Sequence, residues 1–294
     1  MEITFTGIHP FNLEAIAESG QAFRWSRMED GGYLGVVGNL VIKAFQEGDT
    51  LRVFTNGGED SIGFIRDYFD LERDYREIED KLCGFEELVP AVKFCSGNRI
   101  LHQEPWETLI SFILSANNSI PNIKRTIERM CSCYGIPVEF EGGTYYTFPA
   151  PEVLASLSED QIRDTRCGFR GKYVIAVARM IAGGGIDLDE LEKLPTGEAR
   201  KLLMQLPGVG RKIADCVLLF SLRKFDAFPV DVWIKRVVEH IYFDGREMPV
   251  KKIIKFAEGR FGPLAGFAQQ YLFHYTRTCW GDIKGGPGSE KEPG

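Results

Sequence analysis

The feature that most constrains the fold is a change in the spacing of apolar residues near residues 80–105. Before this point, turn pairs such as Gly31-Gly32 and Gly38-Asn39, and the glycines of residues 56–58, separate short β-prone runs. Such a pattern is typical of antiparallel hairpins. After it, apolar residues recur at helical spacing, for example in residues 105–114 and 211–220. The sequence therefore predicts an α+β chain in which a sheet precedes the helices.

We expect three segments along the chain. The predicted segments are an N-terminal antiparallel-sheet domain over residues 1–95, a mostly helical domain over residues 96–283, and a disordered tail of Gly, Pro and charged residues over residues 284–294. The start lacks the basic and apolar regions of a signal peptide, and no window is apolar enough for a membrane helix. Seven cysteines in 294 residues are too few for a disulfide scaffold, so we expect reduced thiols and a cytoplasmic location without membrane partners.

Taken alone, the formal net charge of −7 counts against a nucleic-acid partner, because a polyanion repels an acidic surface. The charge is unevenly distributed, however. Residues 1–80 contain 7 basic and 16 acidic side chains, a balance of −9, which leaves the rest of the chain at +2. The acidity therefore belongs to the sheet domain, and the helical domain can still approach DNA.

The strongest local motif is Leu206-Pro-Gly-Val-Gly-Arg-Lys-Ile-Ala-Asp215. A helix is predicted from about Thr196 to Gln205, and a second one begins near Arg211, so that a helix–hairpin–helix occupies about residues 196–222. We predict that the backbone N–H groups of Gly208, Gly210 and Ile213 face outward at a helix N-terminus, where they can bind a phosphate. An ordinary interhelical turn is the alternative, because Pro-Gly pairs end many helices.

Two residues of the second helix suggest chemistry. Lys212 lies in its first turn, where the positive end of the helix dipole disfavours an ammonium and so favours the nucleophilic amine. Cys216 follows one turn later on the same face, where its thiol can contact both the amine and a ligand. The alternative is a surface lysine and a core cysteine.

A third candidate follows in Phe228-Pro-Val-Asp-Val-Trp-Ile-Lys-Arg236. Asp231 is placed to cap the helix that carries Trp233 to Tyr242, and its carboxylate is expected to stay ionised at neutral pH. It can therefore stabilise a cation that develops nearby, although capping alone would also explain it. A nucleophilic lysine, a fixed carboxylate and a phosphate cradle together suggest chemistry on a sugar–phosphate backbone.

These motifs resemble those of the helix–hairpin–helix DNA glycosylases, and within them the 8-oxoguanine DNA glycosylases. The hairpin block and Pro-Val-Asp-Val carry the resemblance together with four further segments in family order over about residues 10–280. These segments are Ser19-Gly-Gln-Ala-Phe-Arg-Trp25, Ser115-Ala-Asn-Asn-Ser119, Gly168-Phe-Arg-Gly-Lys-Tyr173 and Ala265-Gly-Phe-Ala-Gln-Gln-Tyr-Leu-Phe273. The resemblance implies that residues 96–283 form a helical glycosylase domain.

The resemblance implies a bifunctional glycosylase and lyase that acts on damaged double-stranded DNA. We expect the protein to be a monomer. Lys212 would attack C1′ of a flipped-out 8-oxoguanine nucleotide, and Asp231 would stabilise the developing positive charge. The resulting Schiff base would permit β-elimination of the 3′ phosphate. The family chemistry requires no metal or organic cofactor, and we expect neither here.

Pocket residues follow from the same resemblance. The carbonyl of Gly20 would accept a hydrogen bond from N7–H, which oxidised guanine has and normal guanine lacks. Gln269 would bind the Watson–Crick edge, and the purine would lie between Phe273 and Cys216. An unmatched buried polar group costs about 1–3 kcal/mol, enough to reject the normal base substantially.

The chain departs from the family pattern where the opposite strand binds. Asn117 matches the residue that fills the gap left by the flipped base, and Arg170 matches one of two arginines that read the opposite cytosine. The other arginine position holds Asn122, and the wedge tyrosine is replaced by Phe169. Trp233 stands where the family has a phosphate-binding histidine. We therefore expect weaker discrimination for cytosine opposite the lesion than the eukaryotic family pattern implies.

Two other functions compete with this interpretation. A glycosylase for another damaged purine is one, but monofunctional relatives lack the lysine that Lys212 represents. A non-catalytic helix–hairpin–helix protein is the other, and it leaves Lys212, Asp231 and the pocket residues unexplained. The absence of long basic arms suggests a prokaryotic enzyme associated with the nucleoid.

Overall fold

The computed structural model describes residues 1–285, and the predicted tail lies almost entirely outside them. Five strands near the N-terminus form an antiparallel sheet in the order β1-β5-β4-β3-β2. The strands are β1 (Glu2–Phe5), β2 (Trp25–Arg27), β3 (Tyr33–Val37), β4 (Leu40–Glu47) and β5 (Thr50–Thr55). The predicted antiparallel sheet is thereby confirmed.

The glycine-containing turns fall into two kinds. Gly38-Asn39 joins β3 to β4 as a two-residue hairpin in which Gly38 has a φ of +59°. Gly48 has a φ of +61° and turns β4 into β5. The prediction of a hairpin at residues 56–58 was wrong, because this segment leads from β5 into a helix. Glycine is compatible with a turn into another strand and with a turn into a helix, so its presence alone does not distinguish the two.

The rest of the described chain is mostly helical, as predicted. Its first seven helices are α1 (Leu13–Glu18), α2 (Ser61–Tyr68), α3 (Tyr75–Cys83), α4 (Val89–Cys95), α5 (Pro105–Leu114), α6 (Ile120–Tyr134) and α7 (Pro151–Ser156). The next seven are α8 (Glu159–Arg163), α9 (Gly171–Ala182), α10 (Thr196–Leu203), α11 (Arg211–Ser221), α12 (Val232–Tyr242), α13 (Val250–Phe261) and α14 (Ala265–Gly285). A small hairpin of β6 (Pro137–Phe140) and β7 (Gly143–Tyr146) follows α6.

Two hydrophobic cores divide the molecule. The first packs the sheet against α1 and α2, and includes Trp25, Leu51 and Phe69. The second fills the helical part and already contains Tyr75 and other side chains of α3 and α4. Residues 75–95, which the sequence analysis assigned to the N-terminal domain, therefore pack in the core of the helical part. The boundary at residues 95/96 stays a prediction.

The helix–hairpin–helix is formed by α10, the hairpin of residues 204–210, and α11. Its second helix begins at Arg211 as predicted, whereas α10 ends at Leu203, two residues before the expected Gln205. Gly208 has a φ of +79°, and a Cβ there would lie 2.7 Å from the ring of Tyr173 in α9. Glycine is thus required both by the backbone angle and by the close approach of α9.

Two polar contacts fix the helices that follow the hairpin. Buried Asp215 of α11 binds Arg200 of α10 at 2.5 Å, which ties the two helices of the motif together. Asp231 caps α12, because its Oδ1 accepts a hydrogen bond from the N–H of Ile234 at 2.8 Å. The predicted capping role is therefore confirmed.

None of the helices within residues 1–285 is long and apolar enough to cross a membrane.

Candidate active site

A cavity of about 680 Å³ opens in the helical part between the α5–α6 loop, α11, the start of α12, and α14. Eight of the residues proposed from the sequence line it, although they come from five separate segments of the chain. These residues are Gly20, Asn117, Lys212, Cys216, Asp231, Trp233, Gln269 and Phe273. The fold thus brings the proposed nucleophile, carboxylate and base pocket to one place.

The amino group of Lys212 lies in this cavity. Its Nζ donates a hydrogen bond to Ser115 Oγ at 3.2 Å and lies 5.1 Å from the centre of the Phe112 ring. Ser115 is the C-cap residue directly after α5, and its own hydroxyl is fixed by donation to the Phe112 carbonyl at 2.7 Å. A hydroxyl and an aromatic face hold the amine in place but leave it free to reach a ligand in the cavity.

Cys216 lies one helical turn after Lys212 and is 3% exposed. Burial raises the pKa of its thiol to about 12, although the neighbouring Lys212 opposes this shift. The sulfur is therefore a neutral thiol at physiological pH. It offers a flat, polarizable wall to the cavity and does not provide a thiolate counter-ion to the lysine.

Asp231 provides the acidic group of the cavity. Burial raises the pKa of its carboxyl, while the N–H of Ile234 and the positive charge of Lys212 act in the opposite direction. For an N-cap carboxyl exposed to water, the hydrogen bonds from the helix N–H groups would instead lower the pKa. The ionised form of Asp231 is therefore stabilised in this buried position by Lys212 and by the N-terminus of α12.

The opposite wall is formed by Gly20 and α14. Gly20 has a φ of +77°, and a Cβ there would lie 3.1 Å from Phe273 Cε1, 3.2 Å from an Arg277 nitrogen and 3.3 Å from Ile120 Cδ1. The backbone of residue 20 thus borders the cavity without a side chain of its own. A ligand that rests on the Phe273 ring can approach this backbone directly.

Two neighbouring amides of α14 line the same cavity. Gln269 is 4% exposed and Gln270 is 1% exposed. The Oε1 of Gln269 and both amide atoms of Gln270 have no hydrogen-bond partner among the described residues. Buried amides without partners are costly, so these atoms are available to a polar ligand.

The residues proposed for the opposite strand lie at the edge of the cavity. Asn117 is exposed with a φ of +50°, an unusual angle for a non-glycine residue. Arg170 holds this loop, because its guanidinium donates to the carbonyls of Ala116 at 2.7 Å and Asn117 at 2.8 Å. Phe169 is 58% exposed beneath that guanidinium, and Asn122 is exposed and bonded to Arg125 outside the cavity lining.

The proposed phosphate-binding groups are separate from the cavity, apart from Trp233. Within residues 1–285 the N–H groups of Gly208, Gly210 and Ile213 have no hydrogen-bond acceptor, as expected for a free helix N-terminus. Trp233 packs edge-on against Trp280 with ring centres 6.2 Å apart, and Arg236 lies over its ring. Its side chain presents an aromatic surface where the family pattern has an imidazole.

Sequence reasoning assigned no role to several polar residues of the cavity, among them Ser115, Gln270 and Arg277. Ser115 and Gln270 stand inside motifs that were recognised, but no role was attached to them. Arg277 lies one turn beyond the last recognised motif, so only the helical spacing from Phe273 could have indicated it. Among the described residues, no group of three or more His, Cys, Asp or Glu is arranged to bind a metal.

Comparison with known families accounts for this arrangement. Residues 4–109 match the model described as 8-oxoguanine DNA glycosylase, N-terminal domain, and residues 110–263 match that of the HhH-GPD superfamily base excision DNA repair proteins. The chain belongs to the HhH-GPD superfamily. Its first part places it with the 8-oxoguanine DNA glycosylases of that superfamily, which confirms the resemblance seen in the sequence.

Individual relatives agree with this assignment. A probable N-glycosylase/DNA lyase of Methanothermobacter thermautotrophicus is 34% identical over 71% of this chain and 71% of its own length. The N-glycosylase/DNA lyase of Saccharomyces cerevisiae is 31% identical over 78% of this chain and 68% of its own. The predicted enzyme class, a DNA glycosylase with lyase activity, is thereby confirmed.

Solved structures show the same fold. A structure of MBOgg1 with a low-affinity DNA ligand is 47% identical, with a TM-score of 0.92 over 95% of this chain and 96% of that one. The 8-oxoguanine glycosylase/lyase of Clostridium acetobutylicum, in complex with DNA that has cytosine opposite 8-oxoG, is 39% identical. Its TM-score is 0.88 over 91% of this chain and 92% of that one.

Proposed function

We propose that this protein excises 8-oxoguanine from double-stranded DNA and then cleaves the strand, with Lys212 as the nucleophile. The observation that carries the proposal is the position of the Lys212 amino group, inside a cavity that also contains Asp231 and the base-pocket residues. The DNA-bound relatives of similar fold support DNA as the partner. A damaged nucleotide must leave the stack to reach such a cavity.

The reaction follows from the groups present. The amine of Lys212 attacks C1′ of the deoxyribose, the C1′–N9 bond breaks, and its electron pair leaves with the base. Asp231 stabilises the positive charge that develops on the sugar. The C1′–O4′ bond then breaks while the adduct nitrogen gives a proton to O4′, which leaves a Schiff base. Transfer of a 2′ proton to the released base anion or to water then expels the 3′ phosphate.

Base recognition uses the walls of the cavity. The purine lies between the Phe273 ring and the Cys216 thiol, with its N7–H donating to the Gly20 carbonyl. The free Oε1 of Gln269 accepts from the N–H groups of the Watson–Crick edge. A normal guanine has an acceptor at N7, which would leave two acceptors facing each other in a buried site.

The proposed nucleophile can be tested by borohydride trapping. A duplex with one 8-oxoguanine is incubated with the protein and sodium borohydride, which reduces a Schiff base to a stable amine. We expect a covalent protein–DNA adduct from the unaltered protein and none from Lys212→Gln. Binding of the lesion duplex by Lys212→Gln is expected to persist, because the side chain is close in size and the lysine forms no ion pair in the described structure.

Lys201→Gln is the matched control, because Lys201 is an exposed lysine on α10, within the same motif but outside the cavity. It should form the adduct as the unaltered protein does. Absence of an adduct from unaltered protein that binds the duplex would refute the Schiff-base mechanism. An adduct from Lys212→Gln would instead place the nucleophile on another residue.

A further inference from the structure

Arg277 is a cation in the cavity that the proposed reaction does not yet use. It lies on α14 one turn after Phe273, and its guanidinium packs 5.6 Å from the centre of that ring. One nitrogen donates to the Glu18 carbonyl, which anchors the group. The other terminal nitrogen lies 3.2 Å from the position that a Cβ of Gly20 would occupy. Arg277 is therefore fixed beside the backbone proposed to read N7–H.

The charge of this guanidinium lacks a close counter-ion. Arg277 forms no salt bridge among the described residues, although Glu18 and Asp231 act on its charge from a distance. Burial lowers the pKa of Arg277 against the effect of these two carboxylates. An arginine remains charged even so, and a charge that is partly removed from water without an ion pair is costly. The site is thus suited to a ligand that brings negative charge.

We propose that Arg277 donates a hydrogen bond to O8 of the flipped 8-oxoguanine and stabilises the departing base. This inference rests on the proposed function, because it assumes that 8-oxoguanine occupies the cavity. O8 is bonded to C8, next to N7, so a base whose N7–H faces Gly20 turns O8 toward the neighbouring guanidinium. Gly20 and Arg277 would together read the two atoms by which the lesion differs from guanine.

The chemistry of bond breaking gives this contact a catalytic effect. When the C1′–N9 bond breaks, its electron pair remains on N9 and is delocalised through C8 onto O8. Negative charge on O8 therefore grows from the bound state to the transition state, and a fixed guanidinium stabilises the transition state more. Normal guanine has only a hydrogen at C8 and cannot use the contact. Arg277 would thus contribute to both rate and specificity.

The test separates base release from strand cleavage. Single-turnover rates are measured for the unaltered protein and Arg277→Gln on two duplexes, one with 8-oxoguanine and one with a preformed abasic site. Loss of a donor to a developing oxyanion costs about 100-fold or more in rate. We expect that loss for release of 8-oxoguanine and an unchanged rate of cleavage at the abasic site, which has no base to stabilise.

Two further variants complete the comparison. Arg277→Lys keeps a positive charge and should recover part of the lost excision rate. Arg246→Gln removes an arginine whose side chain is 77% exposed and which does not line the cavity, and it should behave as the unaltered protein does. Cleavage of the abasic-site duplex by Arg277→Gln also shows that the variant is folded.

Each other outcome would overturn the assignment. Excision of 8-oxoguanine by Arg277→Gln at the unaltered rate would show that O8 has no catalytic donor there. Equal loss on both duplexes would make Arg277 a structural support for the residue 18–20 segment. If the unaltered protein cleaves the abasic site but does not release 8-oxoguanine, then the proposed substrate is wrong and the O8 contact with it.

Discussion

Asp231 combines a structural task with a catalytic one at the scale of a single residue. Its carboxylate caps α12, and burial raises its pKa while Lys212 and the Ile234 N–H oppose the shift. Because only the ionised form can stabilise a cation, excision should slow as pH falls through this raised pKa. The slowing should begin at a higher pH than an ordinary aspartate would give.

Asp231→Asn tests both tasks separately. Asparagine caps helices as well as aspartate does, so thermal unfolding should be nearly unchanged. Removal of the charge should lower the single-turnover excision rate by about 100-fold and abolish the acidic limb of its pH profile. An unaltered acidic limb in the variant would assign that limb to another group.

The residues of the site could be predicted from the sequence only where they stand in contiguous motifs. Lys212 and Cys216 share a helix face, and Asp231 precedes a helix, so local spacing was sufficient for them. Gln270 and Arg277 were missed because their importance depends on burial against distant segments. No pattern along α14 shows that one amide has no partner or that one guanidinium adjoins Gly20.

At the scale of elements, the boundaries that depend on local chemistry were predicted well. The start of α11 after a glycine hairpin and the start of α12 after Asp231 are both confirmed. The turn at residues 56–58 was mistaken for a hairpin, because the next element was not recognised as a helix. The packing of α3 and α4 with the helical core depends on long-range contacts, which no local signal of the sequence reports.

The α5–α6 loop and the 3₁₀ turn of Gly168–Arg170 form one unit at the cavity edge. Arg170 fixes the loop through two carbonyls, and Asn117 is held at a positive φ. Asn122 stands where the family pattern has a second cytosine-reading arginine, and its amide oxygen is occupied by Arg125. A bidentate base contact contributes about 1–3 kcal/mol of discrimination, so its loss should weaken the preference considerably.

Excision rates opposite C, A, G and T test this expectation. We expect the rate opposite cytosine to exceed the other three by no more than about 150-fold, since at most one arginine, which contributes about 1–3 kcal/mol, reads the cytosine. Asn122→Arg should increase the preference for cytosine, whereas Arg125→Gln, which removes only the neighbouring exposed arginine, should leave the four rates in the same order. A very strong preference for cytosine in the unaltered protein would contradict the prediction.

At the scale of the whole molecule, the distribution of charge determines how DNA can be held. The net charge of −7 arises from the first 80 residues, which carry −9, whereas the remainder carries +2. In the proposed complex, the backbone N–H groups of Gly208, Gly210 and Ile213 at the start of α11 bind a DNA phosphate. Such dipoles bind a phosphate but displace fewer counter-ions than lysine or arginine would.

Binding of DNA should therefore depend only moderately on salt and strongly on the lesion. A protein that neutralises six to ten phosphates loses about 10³- to 10⁵-fold in affinity between roughly 50 and 200 mM salt. Here we expect a loss of roughly ten- to fiftyfold, which corresponds to two or three neutralised phosphates. Fluorescence anisotropy of Lys212→Gln, which cannot turn over, measures affinity on matched duplexes with and without 8-oxoguanine. Repeating it over a range of salt concentrations gives the slope of log affinity against log salt for each duplex.

The two duplexes should differ in affinity but share the same slope, because the cavity adds contacts with the base and no further phosphates. Glu198→Lys provides a comparison, since Glu198 is exposed on α10, the helix that leads into the hairpin. The added lysine should steepen the salt dependence by about one unit of the logarithmic slope and raise affinity for both duplexes equally. A steep slope in the protein before this change would show that basic side chains, and not helix ends, hold the DNA.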